Sequence, residues 1–253
     1  MCPFPTGDGL SAMTGEKTAD DHDLRLRWPF AMLLAGSSGC GKTTLLGRFL
    51  ANANRTMRRT PKRIVIYCAY DQPAYRQLKE QAPCPVIIRR EELPSDLETD
   101  PGTLLVIDDL QGSHAEALTR WFTVKRHHLD TAVIYVVQNV FDKTPQHRTI
   151  SLNSTHIVLF KNPRDSSQVT HLAKQVFPQD PSFVARAYAS FTRGRPHSYL
   201  VMDFHQNTPD MYRLRDSLLP YDDFPSHVFA DASSEDVYLR QLADDALQRV
   251  SAP

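Results

Sequence analysis

The chain carries LLAGSSGCGKTTLL at residues 33–46, and its inner part, GSSGCGKT at 36–43, has the G-x-x-x-x-G-K-[ST] spacing. Each residue type in that pattern has a physical task. Gly36, Gly39 and Gly41 let backbone N–H groups turn inward around phosphate oxygens, where a Cβ would clash. A helix beginning at Lys42 would aim its positive end at the same anion. Lys42 supplies a point charge suited to the β- and γ-phosphates, and Thr43 a hydroxyl suited to Mg2+. Ser37, Ser38, Cys40 and Thr44 complete the stretch that would line a bound ATP. Cys40 is either an oxidisable thiol or a small residue that fits the turn. The flanks supply the context such a loop needs. PFAMLLA (29–35) reads as a buried strand, and KTTLLGRFLANA (42–53) has apolar residues at helical spacing.

LLVIDDL, residues 104–110, is the natural second half of the site. Its apolar run predicts a strand that delivers Asp108 to the carboxyl end, beside the loop, where a carboxylate can hold Mg2+. Asp109 either orients and activates an attacking water or caps the following turn. VIYVVQN (133–139) ends a third buried strand in Gln138, which either senses the γ-phosphate or water or is a solvated strand end. Arg148, in HRTISLN (147–153) near a predicted turn, is either an arginine delivered across a subunit boundary or a surface residue. Arg164 in KNPRD is a second candidate of that kind. The basic stretches RTMRRTPKR (55–63) and KRHH (125–128) either meet DNA phosphates or are solvated faces. The histidines have no metal-ligand spacing.

Further strands are expected at 63–70, 85–90, 154–161 and 198–204, and helices at 72–81, 115–128, 166–176 and 181–191. Apolar strands alternating with helices imply an α/β fold with a largely parallel sheet and helices on both faces. Residues 1–24 are rich in Gly, Thr, Asp and Pro without periodicity, so a disordered tail is placed at 1–27, a single domain at 28–220 and an acidic tail at 221–253. SEDVYLRQLADDALQRV (234–250) in that last tail is an amphipathic helix candidate, for its own domain or for a partner.

The formal net charge is zero, but residues 1–27 hold five acids against three bases and 221–253 hold seven against two. The body between them is therefore basic, which is compatible with a polyanionic partner. Four cysteines, none in CxxC spacing, argue against a disulfide framework or zinc site and for a reducing intracellular setting. No run of about 18 apolar residues is present, so no membrane span is expected, and the N-terminus lacks a secretion pattern.

The order of segments goes beyond a generic phosphate loop. PFAMLLAGSSGCGKT, IVIYCAYDQPAYRQL, LLVIDDL, VVQNVF, HRTISLNSTHIVLFKNPRD, HLAKQVFP and SYLVMDF together resemble the genome-packaging ATPases of the FtsK/HerA type. The likeness is to the forms carried by Polinton (Maverick) elements and adintovirus-like eukaryotic DNA viruses, and more distantly to the poxvirus packaging ATPase. It covers about 28–220. QNVF and RTISLN…IVLFKNPRD are its most specific parts.

The resemblance implies a P-loop NTPase with a RecA-like core and an additional strand between the two nucleotide motifs. It implies a homo-oligomeric ring that hydrolyses ATP with Mg2+ and drives double-stranded DNA into a capsid, with capsid or portal-type partners. The setting it implies is the host nucleus or a viral assembly site, with the protein carried in the virion in some cases. It assigns Lys42 and Thr43 to nucleotide and metal, Asp108 to metal, Asp109 to water activation, Gln138 to sensing and Arg148 to action in trans. YDQPAY (70–75) departs from the family, where an aromatic-glycine-acid run follows the second strand. A nucleoside or nucleotide kinase, a helicase or recombination motor of the same core, and a non-hydrolysing scaffold remain the alternatives.

Overall fold

The computed structural model describes residues 23–70, 72–90, 93–94, 97–108, 115–140, 145–164, 167–219 and 226–230. The strands are β1 (Ala31–Ala35), β2 (Arg63–Cys68), β3 (Val86–Arg89), β4 (Thr103–Asp108), β5 (Ala132–Val137), β6 (His156–Phe160), β7 (Tyr199–Asp203) and β8 (Leu214–Arg215). They form one sheet in the order β3-β2-β4-β5-β1-β6-β7-β8. The first six are mutually parallel. β5 therefore lies between β1, which feeds the glycine-rich loop, and β4, which ends in Asp108. This is the additional strand expected between the two motifs.

Parallel strands must be joined by crossovers, and helices supply them. The helices are α1 (Lys42–Ala51), α2 (Ala53–Thr56), α3 (Pro73–Gln81), α4 (Ala115–Arg120), α5 (Arg126–His128), α6 (Pro145–Leu152), α7 (Ser167–Val176) and α8 (Pro181–Thr192). A π-helical turn over Trp121–Lys125 joins α4 to α5, so the helix expected at 115–128 is continuous but locally widened. Consecutive Trp121 and Phe122 are both buried there.

Side chains alternate across the sheet, as the pleat requires. Met32, Leu34, Leu104, Val106, Ala132, Ile134, Val136, Val158 and Phe160 pack with Leu46, Phe49 and Leu50 of α1 and Tyr75 and Leu78 of α3. Leu33, Leu105, Ile107, Val133, Tyr135, Ile157 and Leu159 pack on the opposite face with residues of α4, α6, α7 and α8. Burying an aliphatic or aromatic side chain of this size is worth about 1.5–3 kcal/mol, so this two-sided core is the main support of the fold. Asp108 continues the period of Leu104 and Val106 and so emerges on the α1/α3 face.

The sheet is largely parallel, as expected, with β7 running antiparallel to both its neighbours, β6 and β8. Two helices, α7 and α8, both packed on the same face, lie between β6 and β7, and Tyr199 at the start of β7 pairs with Phe160 at the end of β6. The structure departs from the sequence expectation in three places. The turn expected around Arg148 is instead helix α6, whose Ile150 and Ser151 are buried. Residues 23–27, assigned to the N-terminal tail, are joined to the body: Leu26 is buried and bridges Met57. Phe229, assigned to the C-terminal tail, packs on Phe183 and Phe191. The helix candidate at 234–250 lies outside the described residues.

Candidate active site

The carboxyl ends of β1, β4, β5 and β6 open into a cleft of about 690 Å3, lined by loop residues, the start of α1, Asp108 and Gln138. The loop is shaped by its glycines. Gly39 and Gly41 have φ of 75° and 105°, a region open to glycine without strain. A Cβ on Gly36 would stand 2.7 Å from both Cys40 Sγ and Phe160 Cβ. Phe160 is thus the floor of the loop, and the Cys40 thiol fills the space beside Gly36. Burial pushes that thiol's pKa up, with the nearby Lys42 acting in the opposite direction. Cys40 is therefore better described as a packing residue than a reactive one.

Helix α1 begins after Gly41 with no side-chain cap and no acid in its first turn. Its first N–H groups and its dipole are thus directed at the cleft without a competing side-chain acceptor, the arrangement that favours an anion. Lys42 Nζ donates to Gly36 O and Ser37 O at 2.6 and 3.0 Å, which folds the ammonium over the loop. Ser38, Thr43 and Thr44 line the same cleft.

Asp108 is buried at the cleft's inner wall. Its Oδ2 accepts from Tyr75 Oη at 2.5 Å and Gln72 Nε2 at 2.9 Å. Gln138 stands exposed one residue past β5 and lines the same cleft. The structure therefore brings Lys42, Thr43, Asp108 and Gln138 together. Asp109 lies outside the described residues. Arg148 is exposed on α6 and does not line this cleft, and Arg164 is exposed in the turn after β6.

The cleft also contains residues that the motifs do not reveal: Arg48, Gln72, Phe160, His197 and Tyr199. His197 has φ of 57°, and its Nδ1 donates to Cys40 O at 3.1 Å, so the α8–β7 connection presses on the loop. Only the alternation of β6 and β7 could have pointed to Phe160 and Tyr199, because nothing local marks them.

The residues fit ATP with Mg2+. The loop offers backbone donors and a cation for phosphates. Thr43 and Asp108 offer hard oxygen donors, and Mg2+ commonly takes one or two carboxylates together with phosphate and water. Among the described residues no group of three His, Cys, Asp or Glu side chains could hold a metal independently.

The two basic stretches are largely engaged internally. Arg58 pairs with Asp23, Arg59 with Asp130 and Arg63 with Asp100. Lys125 Nζ donates to Leu97 O, and Arg126 is buried. No helix among the described residues is long and apolar enough to cross a membrane.

The strand order, the loop after β1 and the acid ending β4 define a P-loop NTPase core of RecA-like type with an additional strand. No family model and no curated protein matches the sequence. Among solved structures, the chain is similar to the genome packaging NTPase B204 from Sulfolobus turreted icosahedral virus 2 in complex with ATP-gammaS. Identity is 14% over 71% of this chain and 94% of that one, with a TM-score of 0.45. It is also similar to EssC (ATPases 2 and 3) from Geobacillus thermodenitrificans, at 12% identity over 88% of this chain and 45% of that one, TM-score 0.45. The Legionella pneumophila ATPase DotB follows at 11% identity, covering 64% and 53%, TM-score 0.37. The chain thus spans about half the length of EssC and DotB, and similarity at this level concerns the fold alone.

Proposed function

We propose that this protein is an ATP-hydrolysing motor that moves double-stranded DNA and packages a viral or virus-like genome into a capsid, as FtsK/HerA-type packaging ATPases do. One observation carries the nucleotide part: Lys42, Thr43, Asp108 and Gln138, spread over about a hundred residues, line one cleft at the carboxyl edge of a parallel sheet. The motor part is supported by the strand inserted between β1 and β4 and by the QNVF and RTISLN…IVLFKNPRD segments.

In this reading the loop N–H groups and Lys42 hold the β- and γ-phosphates, with Lys42 exchanging loop carbonyls for phosphate oxygens. Thr43 and Asp108 would hold Mg2+, which would supply neutralisation of the charge on the transferring phosphoryl group. Asp109 accepts a proton from the attacking water, and Gln138 orients that water. Arg148, which lies outside its own cleft, reaches the cleft of a neighbouring subunit in a ring. Turnover then depends on assembly. Capsid or portal-type proteins are the partners, and the host nucleus or a viral assembly site is the location.

The test is phosphate release from ATP with and without long double-stranded DNA. DNA should stimulate release several-fold, and Lys42→Ala should abolish turnover while leaving the circular dichroism spectrum unchanged. Normal hydrolysis by Lys42→Ala, or formation of a phosphorylated nucleoside in place of free phosphate, would refute the proposal.

A further inference from the structure

Within YDQPAY (70–75), where this chain departs from the family it resembles, residues Gln72 to Tyr75 have a defined place beside the cleft. Pro73 opens α3 at its first turn, with Gln72 just before it. Tyr75, one turn in, is fully buried in the α1/α3 core. Both side chains converge on one atom, Asp108 Oδ2, from an element 33 and 36 residues earlier in the chain. The Tyr75 hydroxyl and the Gln72 amide both donate to that oxygen.

We infer that Tyr75 and Gln72 are positioning residues that lock the rotation of the Asp108 carboxylate and thereby set the metal preference of the nucleotide site. The inference rests on the proposed role of Asp108 as a metal residue. Two donors on the same oxygen fix the plane of the carboxylate and oppose its swinging to present both oxygens to one ion. Mg2+ is small, demands near-octahedral geometry and is content with one carboxylate oxygen. Ca2+ is larger and accepts a bidentate carboxylate. A locked Asp108 therefore favours Mg2+ over Ca2+, and an unlocked one discriminates less. Outer partners of metal ligands typically change metal affinity by about 10–100-fold.

The experiment is calorimetric titration of ATPγS into wild type and Tyr75→Phe, each in EDTA, Mg2+ and Ca2+. The wild type should bind more tightly with Mg2+ than in EDTA. In Tyr75→Phe the Mg2+ concentration giving half the tightening should rise about tenfold, the Ca2+ midpoint should change far less, and affinity in EDTA should be unchanged. Equal shifts for both ions, or no shift for either, would overturn the inference. If the wild type binds ATPγS equally with and without Mg2+, the metal role of Asp108 fails and the inference fails with it. No binding at all would instead reject the nucleotide site. Should Tyr75→Phe not fold, Gln72→Ala, at the less buried of the two partners, carries the Mg2+-against-Ca2+ comparison, with each midpoint read relative to that variant's own affinity in EDTA because Gln72 also lines the cleft.

Discussion

Gly36 shows how closely the loop is fitted. Its missing Cβ is the space occupied by Cys40 Sγ and Phe160 Cβ. Gly36→Ala should cost about 1–3 kcal/mol through overpacking and weaken nucleotide binding by displacing the Lys42 ammonium, which bonds Gly36 O. Chemical denaturation and ATPγS titration on the same variant would check both effects. Cys40→Ala, by contrast, should retain hydrolysis. At this scale the sequence was informative wherever chemistry is local: Gly36 to Thr44 are contiguous, so one spacing rule located them. Gln72, Phe160, His197 and Tyr199 reach the same cleft, and Tyr75 reaches its Asp108, from elements far apart in the chain, and no spacing rule connects them. The pairing of Arg58, Arg59 and Arg63 with Asp23, Asp130 and Asp100 was equally out of reach of a spacing rule, because those acids are distant in sequence.

At the scale of elements, the parallel part of the sheet follows directly from apolar runs alternating with helices. The antiparallel β7 does not, because its direction depends on two helices rather than one following β6. Its attachment uses a buried charge cluster at the end of the sheet away from the nucleotide cleft. Asp203 of β7 meets His156 of β6 at 3.4 Å and Arg215 of β8 at 3.3 Å, and Arg215 also donates to Leu24 O. Burial pushes the Asp203 carboxyl up, but His156 and Arg215, with the His205 N–H, outweigh it and hold the group well below its usual range.

That carboxyl is about 3.9 when unfolded and lower when folded. Its stabilisation is therefore complete above about pH 5 and is lost as pH falls through the unfolded value toward the folded one. Asp203→Asn should destabilise by about 3–5 kcal/mol at neutral pH, since Arg215 would be left buried without its counter-charge. The gap from wild type should narrow below about pH 4 in urea unfolding followed across pH. A gap independent of pH would assign the cost to packing alone.

At the scale of the whole molecule, the proposed placement of Arg148 makes hydrolysis a property of a ring. Arg148 is exposed and outside its own cleft. Arg148→Ala and Lys42→Ala should each be inactive alone, yet recover part of the activity when mixed, because some sites then join an intact loop to an intact neighbour. No recovery at any ratio would remove Arg148 from the proposed machinery. The same account requires that hydrolysis move duplex DNA rather than open it. The most direct measurement is displacement of a triplex-forming oligonucleotide from one end of a long duplex. The account predicts ATP-dependent displacement with a lag that grows with duplex length, no strand separation on a forked substrate, and loss of both hydrolysis and displacement in Lys42→Ala. Hydrolysis that leaves the triplex in place, in the presence of assembled rings, would contradict it.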